Sequence, residues 1–127
     1  MRELDEAQIW FDAAVFTVEH AERGPEKYTV GIALTINGLI RANDALTLGF
    51  LGVVAKRDED APRLFGELIR QHKIDGKYAA NREMLTEAVS VKSDYTYKGV
   101  EAGKNDAGRW IRRLREYIRV VHEILGI

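Results

Sequence analysis

The chain has 127 residues, enough for one compact domain with a hydrophobic core and too few for two. Its 19 basic and 20 acidic residues nearly cancel, so no overall charge attracts the protein to nucleic acids or membranes. The absence of cysteine excludes disulfides, thiolate metal sites and cysteine nucleophiles. The acidic N-terminus lacks the apolar run of a signal peptide, and we expect a cytoplasmic location.

The spacing of apolar residues predicts helices along the whole chain. Helix one is predicted over Leu4–Glu22 and helix two over Glu26–Val54. A third helix begins near Pro62, a fourth spans Asn81–Ser93, and a fifth spans Lys104–Leu125. The sequence therefore predicts an all-α fold, an up-and-down antiparallel helical bundle of about five helices.

Helix two is apolar on nearly all sides, which predicts that it is the central element of the bundle. Its most hydrophobic stretch, Val30–Ala55, has the length of a membrane span but is interrupted by polar and charged residues. We therefore expect a buried helix and no membrane association. The glycines of this helix, Gly31 and Gly38 among them, predict close approach of neighbouring helices.

Helix one carries two apolar stripes. The first includes Trp10 and Phe11 and is the expected core face. A second stripe, formed by Ile9, Ala13 and Phe16, lies beside it. One helix rarely needs so wide an apolar surface for a single neighbour, and the sequence therefore predicts a homodimer.

Three segments suggest a family. Helix two contains Ile40–Thr47 with the phrase Ala-Asn-Asp-Ala-Leu, Leu85–Tyr97 follows the short third helix, and the amphipathic Ala107–Leu125 closes the chain. In this order they resemble the HEPN domain (higher eukaryotes and prokaryotes nucleotide-binding) over nearly all of residues 1–127. The resemblance implies one HEPN-like domain that commonly dimerises. Many such domains are ribonucleases of toxin–antitoxin pairs, whereas others assist nucleotidyltransferases or bind nucleotides or RNA.

The ribonuclease motif of that family is an arginine followed a few residues later by a histidine, and this chain lacks it. Lys92 stands in place of the arginine and Tyr97 near the position of the histidine. A tyrosine with a pKa of about 10 is a poor proton shuttle at neutral pH. Lysine also lacks the planar fork with which arginine grips phosphate. We therefore expect a non-catalytic member, with a divergent ribonuclease using Lys92, Tyr97 and Arg41 as the alternative.

Asp44 lies in the middle of the apolar second helix and is expected to need a partner there. The predicted partner is Lys92 on the inner edge of helix four, with a phenolic hydrogen bond from Tyr97 or Tyr95. Arg41 and Asn43 flank the same turn, which completes a predicted polar cluster.

Two interpretations of this cluster remain open. Arg41 and Lys92 form a pocket for a phosphate or nucleotide group, or the Asp44–Lys92 pair is a sealed ion pair that fixes helix two against helix four. We favour the ion pair, because structural ion-pair networks resemble sites. No spacing of histidines or carboxylates predicts a metal site, no glycine-rich loop predicts a phosphate site, and no cofactor is expected.

The two ends of the chain carry opposite charge. Residues 1–26 are mostly acidic, and helix five is basic through Lys104, Arg109, Arg112, Arg113, Arg115 and Arg119. This basic face could follow a nucleic-acid backbone, but interleaved acids and the lack of aromatic residues favour a solvated face. A third option is that it meets the acidic N-terminal region of a second subunit.

The expected function is accordingly binding or partner interaction in a nucleotide- or RNA-linked system. The expected partners are a second copy of the chain and a nucleotidyltransferase or antitoxin, with nucleotide or RNA as ligand. A helical protein that serves a purely structural role, without ligand, is the remaining alternative.

Overall fold

The computed structural model describes residues 1–22 and 24–127. Within them the chain forms five α-helices and a single 3-10 turn, and it forms no strand. The elements are α1 (Arg2–His20), α2 (Glu26–Leu51), α3 (Asp60–Arg70), the 3-10 turn (Gly76–Tyr78), α4 (Ala80–Tyr97) and α5 (Lys104–Leu125). The predicted all-α bundle of about five helices is confirmed.

The end of α4 differs from the sequence prediction. The helix was expected to end at Ser93, but it continues to Tyr97. Tyr95, one turn after Val91, packs against the core, and no glycine interrupts the helix before Gly99. Gly99 has a φ of 67°, a left-handed conformation that commonly follows a helix end. The segment from Lys92 onward is therefore the last part of α4 and does not connect two helices.

Two glycines of α2 allow its neighbours to approach closely, as predicted. A Cβ atom added at Gly31 would lie 2.5 Å from Cγ2 of Val18. One added at Gly38 would lie 2.6 Å from Cδ2 of Leu114 and 3.1 Å from Cβ of Trp10. Val18 meets the earlier glycine of α2 and Trp10 the later one, so α1 and α2 run antiparallel.

The remaining long helices continue the up-and-down order. Leu114 packs at Gly38 and Leu125 at Gly49, so α5 runs parallel to α2. Tyr78 and Glu87 contact Glu123 and Arg113, respectively, which shows that α4 runs antiparallel to α5.

The core of the bundle forms around α2, which packs against each of the other four helices. The largest fully buried side chains of the core come from four helices and include Trp110, Tyr117, Phe65, Ile32, Ile36, Leu39, Leu46 and Leu85. None of the helices in the described residues is both long and apolar enough to cross a lipid bilayer. The apolar stretch of α2 is mostly buried between Gly31 and Thr47, whereas Val30 and Leu48 are exposed.

Candidate functional site

Arg41 is the centre of a charged network between α1 and α2. Its Nε atom donates a hydrogen bond to Oε2 of Glu6 at 2.6 Å, and its Nη1 atom donates to Oδ2 of Asp44 at 3.2 Å. Oε2 of Glu3 lies 3.8 Å from Nη2 of the same guanidinium. The hydrogen bond from Arg41 lowers the pKa of Glu6, and a second bond from Arg2 acts in the same direction. One guanidinium therefore serves three carboxylates.

Asp44 is buried, as predicted, but its partner is not Lys92. Its Oδ2 atom accepts the hydrogen bond from Arg41, and its Oδ1 atom accepts one from the backbone N–H of Ala55 at 3.0 Å. Burial raises the pKa of the Asp44 carboxyl, and these two hydrogen bonds oppose the rise. Arg41 lies three positions earlier on the same helix, where side chains are neighbours. The carboxylate thus joins α2 to the loop that follows it.

Lys92 has other partners. Its Nζ atom lies 2.9 Å from Oδ1 of Asn37 and 2.9 Å from Oδ2 of Asp58. Asn37 belongs to α2, and Asp58 belongs to the loop between α2 and α3. The lysine does link α4 to α2, as the ion-pair interpretation expected. The acid that neutralises it is on the loop, because Asp44 is already bonded on both oxygens.

The predicted phenolic contribution is also wrong. Tyr97 is 83% exposed and donates no hydrogen bond to Asp44 within the described residues. It follows Lys92 by five positions on a continuous helix, which places the two about 140° apart around the axis. Tyr95 is half-buried against the core, and burial raises the pKa of its hydroxyl. A catalytic pair of Lys92 and Tyr97 would need the two side chains on one face.

Asn43 belongs to a separate, interior cluster. Its Nδ2 atom donates to the carbonyl of Ala61 at 3.0 Å, and its Oδ1 atom accepts from the Tyr117 hydroxyl at 2.7 Å. Burial raises the pKa of Tyr117 strongly. Sequence reasoning assigned Tyr117 to the apolar stripe of α5 and missed this bond. The signal was available, since a buried tyrosine hydroxyl usually finds a partner.

A groove of about 370 Å³ runs beside the charged network. It is lined by Glu6, Trp10, Asn37, Ile40, Arg41, Asp44 and Asp58. The structure therefore brings Arg41 and Asp44 to one groove. Lys92 does not line the groove but binds Asp58, which does. Asn43 and Tyr97 lie elsewhere. Three carboxylates and one guanidinium line the groove, and that guanidinium is bonded to two of them. This charge balance does not favour an anionic ligand.

A larger groove of about 1020 Å³ lies between α3 and α4, and sequence reasoning did not identify it. The Arg82 side chain lies over Gly66, where an added Cβ atom would be 2.9 Å from Cζ of the guanidinium. The charged lining residues are Arg63, Arg70, Arg82, Glu67, Glu83 and Glu87. Their charges cancel, so this groove has no formal charge with which to attract an ion.

Acid–base chemistry has little support in either groove. No histidine is among the residues that line them. His20 is exposed on α1, where its ring lies 4.8 Å from that of Phe16, and His72 and His122 are also exposed. Asp44 has a raised pKa, but both of its oxygens accept hydrogen bonds. The polar groups that the sequence singled out mainly join helices and a loop.

Comparison with known proteins adds no relative. The chain matches no protein-family model, and neither curated proteins nor solved structures give a significant match. The likeness to the HEPN domain therefore depends on the three sequence segments described above.

Proposed function

We propose that this chain is a non-catalytic, HEPN-like helical module that functions by self-association and partner binding. The observation that carries the proposal is an apolar stripe on α1, formed by Ile9, Ala13 and Phe16, of which the two large side chains are exposed and Ala13 is half-buried. Ile9 is 66% exposed and Phe16 is 65% exposed. Helix geometry places them on the side of α1 opposite the fully buried Ala7 and Ala14.

The stripe is unusual because its members align. Single exposed apolar side chains are common on protein surfaces and need no explanation. Here Ile9, Ala13 and Phe16 are spaced by four and three positions, so they form one continuous row on a helix. Covering one large apolar side chain is worth about 1.5–3 kcal/mol. A second copy that covers the row would gain this energy, which supports a homodimer.

The side chains expected to cleave RNA are not arranged for it, which supports a non-catalytic role. The Lys92 ammonium is bonded to Asp58 and Asn37, and Tyr97 points to a different side of α4. Incubation with single-stranded RNA tests this part of the proposal. We expect wild type, Lys92→Ala and Tyr97→Phe to give the same background. Cleavage by wild type that both substitutions abolish would establish the divergent ribonuclease instead.

The proposed setting is a nucleotide- or RNA-linked system, with a nucleotidyltransferase or an antitoxin as the partner protein. Support for this setting comes from the HEPN resemblance. Direct nucleotide binding at the Arg41 groove would require a phosphate to displace Asp58 or Glu6 from their cations. Isothermal titration with ATP measures this directly, and Lys92→Met provides the matched variant. Heat that vanishes in Lys92→Met would show that the groove is a nucleotide site.

Self-association is tested by removing the apolar stripe. We expect Ile9→Ser/Phe16→Ser to weaken the dimer by at least about 100-fold, because two large apolar contacts are lost in each copy. Val100→Ser is the matched control, since Val100 is 48% exposed but lies in the loop between α4 and α5. Light scattering coupled to size exclusion gives the masses. An unchanged dimer in the double variant would locate the interface elsewhere.

A further inference from the structure

The outer face of α1 alternates acidic and apolar residues in a regular order. Asp5, Ile9, Asp12, Phe16 and Glu19 follow one another at intervals of four, three, four and three. This spacing averages 3.5 residues, so the five residues form one row along the helix. All five residues are exposed. The three acids, which we name the acidic row, extend over about 21 Å.

The outer face of α5 carries a complementary basic row of Lys104, Arg112 and Arg115. All three are exposed, and none forms an ion pair with a described carboxylate. Arg119 is different, since it is held by Glu116 at 2.5 Å and by Glu123 at 3.1 Å within its own helix. The basic row spans about 16 Å, a length that fits beside the acidic row.

The two rows share one face of the molecule. α1 packs against α5, and the flank of α1 that carries Glu6 and Trp10 is turned toward α2. On α5, Arg113 turns toward Glu87 of α4, with its Nη1 atom 3.1 Å from Oε2 of the acid. Each row lies on the side of its helix that is opposite the fully buried residues. An acidic row and a basic row therefore lie next to each other, on two adjacent antiparallel helices.

From this arrangement we infer that the α1–α5 face is self-complementary and is the surface by which two copies of the chain pair. The inference rests on the proposed self-association and names its surface. A twofold axis parallel to the helices places each acidic row opposite the basic row of the other copy, and the contact then occurs twice. A twofold axis across the helices would oppose acid to acid, which is repulsive.

The same contact covers the apolar stripe. Ile9 and Phe16 alternate with the acids of the acidic row. When those acids pair with Arg112 and Arg115 of the other copy, the two apolar side chains would lie against the aliphatic stems of these arginines. Arginine stems cover apolar surface while their guanidinium groups pair with carboxylates, and a guanidinium also stacks on a phenyl ring. The Arg112 guanidinium lies beside Gly108, where an added Cβ atom would be 3.4 Å from its Nη1 atom. Charge complementarity and burial of the apolar stripe thus both favour a second copy of the chain as the partner at this face.

A nucleic acid fits this face less well than a second copy does. The acidic row beside the basic row repels phosphates. On α5 no exposed aromatic residue accompanies the basic row to stack on bases, and the exposed Phe16 of α1 lies between two acids. The outer face of α1, on which acidic and apolar residues alternate, complements a basic helix and does not complement a nucleic acid.

Charge reversal on either row tests the pairing in the full chain. Asp12→Arg/Glu19→Arg reverses the acidic row, and Arg112→Glu/Arg115→Glu reverses the basic row. In sedimentation equilibrium at low salt, we expect each variant alone to weaken the dimer by at least about tenfold, because like charges then face each other. Lys56→Glu/Lys73→Glu is the matched control, since both lysines are exposed away from this face. Circular dichroism verifies that each variant is folded.

Restoration is the decisive arm of the experiment. An equimolar mixture of the two reversed proteins, or one chain with all four substitutions, should recover the wild-type dimer constant within about threefold. Failure of both to recover it would overturn the inference. If Ile9→Ser/Phe16→Ser dissociates the dimer but neither reversal does, self-association through the apolar stripe stands and the pairing of the two charged rows is refuted. If wild type is monomeric, both fall. Loss of RNA binding by Arg112→Glu/Arg115→Glu with an unchanged dimer would make the basic row a nucleic-acid surface and also overturn the inference.

Discussion

The two flanks of α1 differ in how their charges are met. On the flank toward α2, Glu3 and Glu6 meet Arg41, whose guanidinium also bonds to Asp44. On the outer flank, Asp12 has only a glutamine as a hydrogen-bond partner among the described residues, and it lies between exposed apolar side chains. The first flank has completed its contacts within the chain. The second leaves charge and apolar surface exposed to solvent.

α5 repeats this contrast between neighbouring arginines. Arg113 meets Glu87 and lies 4.5 Å from the centre of the Trp110 ring. Arg112, one position earlier, is exposed and forms no ion pair with a described acid. Residue type therefore does not distinguish a stabilising charge from one available for binding. The presence or absence of a partner within the chain distinguishes them. Substitutions of paired charges should therefore lower stability, whereas substitutions of exposed, unpaired charges should not.

The largest expected loss of stability follows substitution of Asn43, which is fully buried in the interior of the bundle. Asn43→Ala leaves the Tyr117 hydroxyl buried without its acceptor and removes the amide hydrogen bond to the Ala61 carbonyl, which should lower the free energy of unfolding by about 3–4 kcal/mol. Tyr117→Phe removes only one hydroxyl and should cost about 1–1.5 kcal/mol. Urea unfolding measures both. Equal losses for the two variants would show that Asn43 is not the shared partner.

Arg41 gives the next largest effect and the sharpest form of the comparison. Arg41→Met leaves the buried Asp44 without its guanidinium, and we expect a loss of about 2–3 kcal/mol. Arg112→Met is the matched control on the outer face and should change the stability of the monomer by less than about 0.5 kcal/mol. Urea unfolding at a concentration that keeps the chain monomeric compares them. Similar losses at the two sites would remove the distinction between enclosed and outer charges.

We expect substitution of Lys92 to cost less stability than Arg41→Met and more than Arg112→Met. Lys92→Met removes the ammonium that joins Asn37 of α2 to Asp58, and we expect a loss of about 1 kcal/mol. The loss is smaller than at Arg41 because Asp58, with a side chain 40% exposed, is hydrated once its partner is gone. The same urea series measures it. A loss as large as that of Arg41→Met would mean that the lysine is the principal link to α4.

The smallest effect is a change in the pH dependence of stability. The folded chain holds the pKa of Glu6 below its ordinary value of 4.5, so the folded state binds fewer protons there than the unfolded state. The stabilisation is present above pH 4.5 and is lost as the pH falls through the folded-state pKa. Glu6→Gln should therefore reduce the slope of unfolding free energy against pH below 4.5, by at most about one proton. Urea unfolding between pH 3 and 7, roughly the range in which carboxylates titrate, gives the slope. An unaltered slope would show that Glu6 is not coupled to Arg41.

Much of the fold could be predicted from apolar spacing. The limits of α5 agree with the sequence prediction, because it has a long apolar stripe and Gly126 beyond its end. The start of α2 also agrees, since it directly follows Pro25, but α2 ends at Leu51 before Gly52 and not at Val54 as predicted. The close packing at Gly38 followed from its place in an apolar helix. The end of α4 could not be found in this way, since the polar residues after Val91 conceal the apolar contact of Tyr95.

The sequence identified the polar residues Arg41, Asp44 and Lys92, but the predicted pairing of Asp44 with Lys92 is wrong. A buried Asp44 had to have a partner, but sequence alone could not choose between Lys92 and Arg41, because that choice depends on the loop after α2. Ala55 and Asp58 lie on this loop, and each binds one member of the expected pair. The acidic groove that results has the opposite charge to the predicted phosphate pocket. The homodimer, the HEPN assignment and the nucleotide link stay predictions.

Sedimentation equilibrium of the wild-type chain, from low to high micromolar concentration, tests the central claim most directly. We predict a reversible monomer–dimer equilibrium that weakens as salt is raised, because charged rows contribute to the contact. A chain that remains monomeric at high micromolar concentration in low salt would contradict the account.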